Sequence, residues 1–326
     1  MSEQVLSIRD INVHFPNLTG STHVLRGVNL DLAHGEILGV VGESGSGKSM
    51  TGMAIMGMVP RPGQVSGKIE LEGRDIVRMS AEEREKLRGR KVAMIFQNPL
   101  SALNPFFSIE RQMCDVILQN GTAKSRSQAR QVALDQLTDV RIPDVEGALR
   151  KYPHQMSGGQ LQRVMIAMAL ACAPELIIAD EPTTALDVTI QEQIIMLLHD
   201  LARNRGISIL FITHDLGLVS RLCDRVAVMY AGEVIECGTV AQVVDTPTHP
   251  YTRRLLATVP QIGRGEEELA AIPGLVPNLA ETLTGCAFAE RCEFAETICH
   301  EKRPPMRVLP PGENAVSCHL FPRTAA

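Results

Sequence analysis

The chain has 326 residues, a formal net charge of -5, eight cysteines and no tryptophan. This length accommodates one large α/β domain with a smaller appendage. The acidic balance argues against a general affinity for nucleic acid, which depends on clustered lysine and arginine. No apolar run approaches the ~18 residues that cross a bilayer, and the first residues show no basic segment followed by an apolar core. We therefore expect a soluble cytoplasmic protein that reaches a membrane only through a partner.

The N-terminal region predicts strands at 5–8, 11–15 and 24–32, where apolar and polar residues partly alternate. Phe15, at the end of the second strand, is one of only eleven aromatic residues (8 Phe and 3 Tyr). Its ring could stack on an adenine or fill the core of an edge sheet. The spacing alone leaves both interpretations open.

A phosphate-binding pattern follows at residues 42–49, which read G-E-S-G-S-G-K-S. An apolar run at 37–41 precedes it as a buried strand, and a helix is predicted over 50–58. The glycines let backbone N–H groups turn inward around a phosphate at the positive end of that helix. Lys48 can reach the β- and γ-phosphates, and the Ser49 hydroxyl can ligate Mg²⁺. The predicted nucleotide contacts are Gly42, Glu43, Ser44, Gly45, Ser46, Gly47, Lys48, Ser49 and Met50.

Two further strands are predicted, at 65–71 and 91–96, and Gln97 follows the second one. At a strand end near the site, the Gln97 amide could contact Mg²⁺ and the attacking water; the more general interpretation is a polar residue that opens a loop. From about 98 to 173 the pattern changes to helices with polar faces, which predicts a helical subdomain inserted into the α/β core. One apolar helix face there consists of Ala129, Val132, Ala133, Leu137 and Val140.

The segment Ser157-Gly158-Gly159-Gln160 begins an apolar helix that extends to Cys172. Ser157 is a suitable N-cap, and the paired glycines leave the backbone bare at the helix N-terminus. Since a helix N-terminus attracts anions, this segment predicts a second anion-binding site.

A buried strand is predicted over 176–181, and it ends in Asp180 and Glu181. Because successive residues of a strand point to opposite faces, the two carboxylates should have different roles. Asp180 can support the Mg²⁺ shell, and Glu181 can face the γ-phosphate and orient a water. Residues 185–187 then open a helix that stops at Gly206. The next strand, 207–213, leads to His214, a candidate for contact with the γ-phosphate.

The cysteines fall into two sets, of which Cys114, Cys172, Cys223 and Cys237 are scattered and typical of inert core residues. The other set is spaced C-x5-C-x6-C-x18-C in a proline-rich tail of about 259–326, which we expect to form little regular secondary structure. A unit this short usually needs a covalent or metal cross-link, here called a staple, or docking onto a larger core. A disulfide is a poor staple in a reducing cytosol, so the spacing leaves an iron–sulfur cluster, zinc or an inert set open. The set is Cys286, Cys292, Cys299 and Cys318.

Taken together, these motifs resemble the ATP-binding subunits of ABC transporters in order and approximate spacing, over roughly residues 5–255. The motifs are the phosphate loop at Gly42, the Gln97 loop, Ser157-Gly158-Gly159-Gln160, Asp180-Glu181, Ala185-Leu186-Asp187 and His214. The resemblance implies an α/β fold of the RecA-like P-loop NTPase type, an ABC nucleotide-binding domain with an antiparallel β-subdomain and an inserted helical subdomain. We place this domain at 1–258 and a Cys/Pro-rich C-terminal extension at 259–326.

The same resemblance implies two ATP molecules sandwiched between two such domains. Each ATP is contacted by the phosphate loop of one domain and the Ser157-type signature of the other. Phe15 then becomes the adenine-stacking residue. Mg²⁺ is expected on Ser49, Gln97 and Asp180, and the expected catalytic set is Glu181, His214 and Gln97.

Three segments resemble the peptide-importer branch of this family, at 96–105, 249–252 and 285–292. In some members of that branch the four C-terminal cysteines are associated with a [4Fe–4S] cluster. The resemblance therefore favours a cluster, with zinc as the alternative. The sequence departs from the family pattern at two places, both of them small. Met156 stands where family members more commonly have leucine, and residues 282–284 stand where they often have prolines.

The resemblance implies an ATP-hydrolysing subunit that powers import of short peptides from the cytoplasmic face of the cell membrane. The expected partners are a second homologous ATPase, either a paralogue or an identical chain, two membrane-spanning permease subunits and, indirectly, an extracytoplasmic solute-binding protein. No nucleic-acid partner is expected. The alternatives are the same machinery for a peptide-like conjugate or a metal complex, a non-transport ABC ATPase acting on DNA or ribosomes, and a regulator that binds ATP without turnover.

Overall fold

The computed structural model of the protein describes residues 4–17, 20–184, 186–258, 272–281, 283–310 and 314–321. The chain forms two compact units. The first unit comprises residues 1–5, 33–36 and 79–211, and the second comprises 6–32, 37–78 and 212–326. The predicted domain boundary after 258 adjoins residues 259–271, which lie outside the described ranges, so it stays a prediction. Ala185 and residue 282 of the predicted motifs also lie outside them.

Strands and helices follow one another along most of the chain. The strands are β1 (Gln4–Asn17), β2 (Gly20–Ala33), β3 (Ile37–Val41), β4 (Gln64–Leu71), β5 (Arg74–Asp75), β6 (Val92–Ile95), β7 (Leu176–Asp180), β8 (Ser208–Thr213), β9 (Arg225–Tyr230), β10 (Glu233–Thr239), β11 (Arg307–Val308) and β12 (Ala315–Val316). The helices are α1 (Lys48–Ile55), α2 (Ala81–Leu87), α3 (Pro99–Ala102), α4 (Ile109–Asn120), α5 (Arg126–Asp139), α6 (Val145–Arg150), α7 (Gly158–Leu170), α8 (Val188–Arg205), α9 (Leu216–Leu222), α10 (Pro250–Ala257) and α11 (Thr297–Glu301). None of the described helices is long and apolar enough to span a membrane.

An antiparallel sheet has the strand order β2-β1-β4-β5. In it, β1 pairs with β4 from Leu6 opposite Leu71 onward, and the register shifts between Arg9 and Asn12. The prediction of two separate strands at 5–8 and 11–15 was therefore wrong. A bulge at Asp10, where φ is 49°, absorbs the irregularity without ending the strand.

The second unit also contains strands in the order β11-β12-β10-β9-β3. β3 runs parallel to β9, with Val41 opposite Val228, whereas β10 runs antiparallel to both β9 and β12. Every residue of β3 is buried, as predicted for a parallel strand covered on both faces. In the first unit the order is β8-β7-β6, with β6 parallel to β7.

Between β6 and β7 the chain is helical, from α3 to α7. The apolar face predicted for α5 is largely confirmed, because Ala129, Ala133 and Leu137 are buried while Val132 is only half-buried. These helices belong to the same compact unit as β6 and β7. Their assignment to a separate subdomain at about 98–173 stays a prediction.

Local capping sets the ends of α8. The Asp187 carboxylate accepts a hydrogen bond from the N–H of Ile190 at 2.9 Å and begins the helix. The helix ends at Gly206, as predicted, where a φ of 65° favours glycine. Both signals are local in sequence, which is why the sequence predicts this helix well.

The described part of the C-terminal extension has little regular secondary structure, as predicted. Two-residue strands form there, with Val316 of β12 opposite Glu236 of β10 and β11 paired with β12. β12 uses the N–H and C=O groups that β10 offers at the sheet edge, and β11 pairs with β12 in turn. Besides these strands, the regular elements in the described part of the extension are α11 and a single turn at Ala289–Arg291.

Phe288 anchors the extension in the core of the second unit. Its side chain is 1% exposed, and its ring lies edge-on to Tyr230 and Tyr251, with centroids 5.3 Å and 5.4 Å away. The buried ring of His249 lies 6.0 Å from it. Nδ1 of His249 accepts the N–H of Tyr251 at 3.0 Å, so His249 caps α10. The aromatic contacts therefore join the extension to α10.

The burial of His249 makes stability depend on pH. Burial lowers the pKa of His249 to about 3, from an ordinary value of 6.5. Between these values the unfolded chain binds more protons than the folded one, so the stability is complete above pH 6.5 and is lost as the pH falls toward 3. From pH ~7 to ~5, the free energy of unfolding of the wild type should fall by about 2 kcal/mol more than that of His249→Asn, whose amide can still cap α10.

Denaturant titrations at the two pH values measure this difference. The control is His34→Asn, which removes an exposed histidine and should keep the wild-type pH dependence. Equal pH dependence in His249→Asn and the wild type would contradict the prediction.

Candidate functional site

The phosphate loop connects β3 with α1 and packs closely against its neighbours. A Cβ at Gly42 would lie 2.2 Å from the carbonyl oxygen of Met229, and a Cβ at Gly47 would lie 2.7 Å from Leu25 Cδ2. Gly47 also has a φ of 100°, which favours glycine, and no side chain caps the start of α1. The loop therefore has the bare backbone at a helix N-terminus that anion binding requires.

Lys48 lies inside this loop, with only 5% of its surface exposed. Its Nζ donates to the carbonyl oxygens of Gly42 at 2.8 Å and Glu43 at 3.0 Å. The hydroxyl of Ser46 is buried and has no hydrogen-bond partner among the described residues. Because an unpaired buried hydroxyl is costly, it suits a polar ligand. An ammonium and a hydroxyl around a glycine-rich backbone fit a phosphate.

The rest of the loop extends to both sides of Lys48. Ser44 and Gly45 form its exposed tip, and Ser49 and Met50 are half-buried in the first turn of α1. This helix begins two residues earlier than predicted and ends at Ile55 instead of 58. The loop geometry, rather than the composition of the helix, sets its start.

Phe15 lies near the end of β1 and is half-buried. A Cβ at Gly63 would come within 2.7 Å of its Cε1 atom, so the ring packs against the backbone there. The contact explains how the ring is held. Adenine stacking by Phe15 stays a prediction.

The end of β7 corrects one sequence-based argument. The strand ends at the buried Asp180, and Glu181 lies beyond it with a φ of 45°. The prediction that Glu181 belongs to the strand was wrong. The rule that successive strand residues point to opposite faces of a sheet therefore does not determine the direction of the Glu181 side chain. Its Oε2 accepts hydrogen bonds from Nε2 of Gln97 at 3.0 Å and from Oγ1 of Thr184 at 2.9 Å. The structure thus brings Gln97 and Glu181 together.

The left-handed conformation of Glu181 has an energetic cost. A non-glycine residue there costs roughly 1–2 kcal/mol, and such residues cluster at functional sites. The cost is offset by the hydrogen bonds from Gln97 and Thr184, which fix the carboxylate.

Ser157 begins α7 through a reciprocal cap. Its Oγ accepts the N–H of Gln160 at 3.3 Å, and Oε1 of Gln160 accepts the N–H of Ser157 at 3.2 Å. This confirms the predicted N-cap. Ser157 and Gly158 are exposed, whereas a Cβ at Gly159 would lie 2.7 Å from Cγ2 of Ile190. Anion binding at this helix start stays a prediction.

His214 directly follows β8 and is exposed, as its position in the sequence predicts. It belongs to the second unit, together with Phe15 and the phosphate loop. Gln97, Asp180, Glu181 and residues 157–160 belong to the first unit. The predicted nucleotide residues therefore fall into two groups, one in each unit.

Four cysteines of the extension line one small cavity: Cys286, Cys292, Cys299 and Cys318. All are free thiols, and burial raises the pKa of Cys286 to about 12 and also raises the pKa values of Cys292 and Cys318. The described part of the chain contains no group of three or more His, Cys, Asp or Glu side chains that could hold a metal ion. The cysteines come together, but the structure shows no metal site.

Comparison with known proteins agrees with this arrangement. A family model described as ABC transporter matches residues 25–184, and one described as the C-terminal region of oligopeptide/dipeptide transporters matches 235–299. A probable peptide ABC transporter ATP-binding protein of Sinorhizobium fredii is 47% identical over 97% of this chain and 95% of its own length. The dipeptide transport ATP-binding protein DppD of Escherichia coli is 43% identical over 97% and 96% of the two chains.

The chain belongs to the dipeptide and oligopeptide branch of the ABC transporter ATP-binding proteins. Solved structures support the same fold. The dimeric, post-hydrolysis ATP-binding cassette MJ0796 bound to ADP and Pi has a TM-score of 0.65 and 28% identity, over 72% of this chain and 98% of its own. The cbiO1 protein from Clostridium perfringens has a TM-score of 0.63 and 30% identity, over 75% and 92%. The predicted ABC nucleotide-binding fold is confirmed.

Sequence reasoning missed how the phosphate loop of this ABC ATPase is held from outside. The hydroxyl of Tyr251 accepts the N–H of Glu43 at 3.0 Å, and Arg291 donates to both carboxylate oxygens of Glu43 at 2.8 Å and 3.2 Å. Both residues lie in segments that resemble the peptide-importer branch, which was a signal of importance. They are 208 and 248 residues away from Glu43, so no local pattern indicates the pairing.

Proposed function

We propose that this ATPase powers the import of short peptides through a membrane ABC transporter, from the cytoplasmic face of the cell membrane. The observation that carries the proposal is the match of residues 235–299 to the oligopeptide/dipeptide transporter region, a segment outside the general ABC match at 25–184. Relatives named for peptide, D,D-dipeptide and dipeptide transport cover nearly the whole chain. Since the ATPase subunit does not touch the cargo, the cargo class rests on this similarity.

We infer the chemistry from the roles of the predicted nucleotide residues. Backbone amides of the phosphate loop and Lys48 would hold the β- and γ-phosphates, and Phe15 would stack on the adenine. Mg²⁺ would neutralise charge on these phosphates, with Ser49, Gln97 and Asp180 as its contacts. Glu181 would orient the water that attacks the γ-phosphorus and accept its proton. The hydrogen bonds from Gln97 and Thr184 support this role because they fix the carboxylate.

Two further groups complete the proposed site. His214 would donate to the γ-phosphate, where charge develops during hydrolysis. The exposed start of α7, at 157–160, would contact the ATP that is bound to the phosphate loop of a partner ATPase. The dimeric structure of the ABC transporter cassette MJ0796 supports such a pairing. The partner ATPase would be a paralogue or an identical chain, joined to two permease subunits and served by a solute-binding protein.

Replacement of Glu181 tests the catalytic role. Glu181→Gln keeps the shape of the side chain but removes the proton acceptor, so the transporter should bind ATP and hydrolyse it ~10²–10⁴ times more slowly. Labelled dipeptide uptake into proteoliposomes that contain the complete transporter should fall by a similar factor. The matched control is Glu85→Gln on the exposed face of α2, which should change neither rate.

The outcomes separate the alternatives. Near-normal hydrolysis by Glu181→Gln would contradict the role of Glu181. Full ATP hydrolysis by the wild type without uptake of any di- or oligopeptide would contradict the cargo class and favour a peptide-like conjugate or a metal complex. ATPase activity that needs no permease subunits and responds to DNA or ribosomes would favour the non-transport alternative.

For the extension, we infer that the four clustered cysteines hold a [4Fe–4S] cluster with a structural or regulatory role. The support is that all four line one cavity whose lining is otherwise mainly apolar. Four thiols beside one another suit iron–sulfur ligation. Zinc bound by the same four thiolates is the alternative.

Anaerobic purification with metal analysis tests the cluster. The full chain should carry iron and acid-labile sulfide in equal amounts, and Cys292→Ser should lose most of both. Cys114→Ser is the matched control, because Cys114 lies in α4 of the other unit and should leave the iron content unchanged. Stoichiometric zinc without sulfide would overturn the cluster, and metal-free protein would overturn the inference of any staple.

A further inference from the structure

We propose that Arg291 of the extension is a positioning residue for the phosphate loop, so that the C-terminal extension sets the affinity for nucleotide. The inference rests on the phosphate loop being the ATP site. Both guanidinium NH₂ groups of Arg291 donate to the Glu43 carboxylate, at 2.8 Å to Oε2 and 3.2 Å to Oε1. A two-point pair of this kind fixes geometry as well as charge.

Every donor of Arg291 is engaged. Besides its bonds to Glu43, NH1 donates to the hydroxyl of Tyr230 at 3.2 Å. Nε donates to the carbonyl of Pro273 at 3.0 Å, and NH2 donates to the carbonyl of Ile272 at 3.1 Å. The guanidinium has five N–H donors, so this set satisfies all of them. Its side chain is 4% exposed, and the pair with Glu43 is therefore weakly screened by solvent.

Glu43 is the residue through which this pair acts on the loop. Its carbonyl oxygen accepts from Nζ of Lys48 at 3.0 Å and from the N–H of Ser46 at 3.2 Å. Its own N–H donates to the hydroxyl of Tyr251 at 3.0 Å. A shift of Glu43 would therefore move the Lys48 ammonium and the adjacent loop backbone. Arg291 reaches the phosphate-binding groups through one intermediate residue.

The extension in turn fixes Arg291. It lies between Cys286 and Cys292, in a single turn that follows Phe288, and its N–H donates to the Phe288 carbonyl at 3.0 Å. Phe288 packs against Tyr230 and Tyr251, the two residues whose hydroxyls contact Arg291 and Glu43. The order of the cysteine segment and the position of the loop are thus coupled through packed, hydrogen-bonded groups. Coupling between two sites is reciprocal, so nucleotide should also order the extension.

The first test is the affinity of the purified full chain for ATP with Mg²⁺, using a non-hydrolysable ATP analogue as the probe. Arg291→Gln should weaken binding by about 5- to 150-fold, the usual range of coupling between sites. The matched control is Arg254→Gln, which breaks the ion pair with Glu293 beside Cys292 but does not touch the loop. Its affinity should stay at the wild-type value.

Because Arg291 is buried, its replacement can also unfold the chain, so a second variant approaches the pair from the loop. Glu43→Gln keeps the side-chain shape at a partly exposed position and should weaken binding to a similar extent. If Arg291 acts through Glu43, the double variant should bind no more weakly than the worse single variant. Additive losses would overturn the proposal.

Hydrogen exchange gives a readout that a merely structural role would not change. In the wild type, the nucleotide analogue should slow amide exchange over 286–301, and in folded Glu43→Gln saturated with the analogue this protection should be lost. Folded variants with wild-type affinity would overturn the proposal. Failure of the wild type itself to bind the analogue would instead contradict the nucleotide site.

Discussion

The backbone of the phosphate loop lies so close to β9 that there is no room for a side chain at Gly42. The Met229 carbonyl oxygen is 2.2 Å from the place where a Cβ would be. This approach is set by the sheet, because β3 and β9 are parallel neighbours with Val41 opposite Val228. A buried strand pair therefore determines where the loop begins, and the loop determines where α1 begins. The position of Lys48 follows from both.

Residues with local signals were predicted well from the sequence. The strand at 37–41 is a short, wholly apolar run before a glycine loop, and Asp187 and Gly206 bound α8 through caps that involve only their neighbours. Such features depend on contacts within a few residues. The structure keeps them because nothing in the tertiary packing opposes them.

Other features could not be read from local patterns. The apolar run before Glu181 resembles a continuous strand, yet Glu181 has a φ of 45° and its carboxylate accepts hydrogen bonds from Gln97 and Thr184. The bulge at Asp10 likewise interrupts the sequence pattern, which therefore predicted two strands where the structure has one. The pair between Arg291 and Glu43 joins residues 248 positions apart. Composition can indicate that a tail needs docking, but it does not name the docking partner.

The extension is part of the core of the second unit rather than a loose appendage. Arg303 of the extension and Arg26 of β2 both reach the buried carboxylate of Glu233 on β10, at 3.2 Å and 3.1 Å. Burial raises the pKa of Glu233, and the two guanidinium groups oppose that rise. With Phe288 and Arg291, these contacts attach the extension to the strands and loop of the proposed phosphate site. In this peptide-transporter ATPase, the segment that distinguishes the branch and the loop that we propose to bind ATP share one core.

The most direct test of this account is the affinity of Gly42→Ala for a non-hydrolysable ATP analogue with Mg²⁺. If the close approach to β9 fixes the loop, the added methyl group should displace it at a cost of about 1–3 kcal/mol, which corresponds to about 5- to 150-fold weaker binding. Gly73→Ala is the control, because Gly73 also has a positive φ, of 75° against 155° at Gly42, but a Cβ there would meet no atom within 4 Å. Its affinity should remain at the wild-type value. Equal affinities of Gly42→Ala and Gly73→Ala would contradict the claim that packing against β9 builds the nucleotide site.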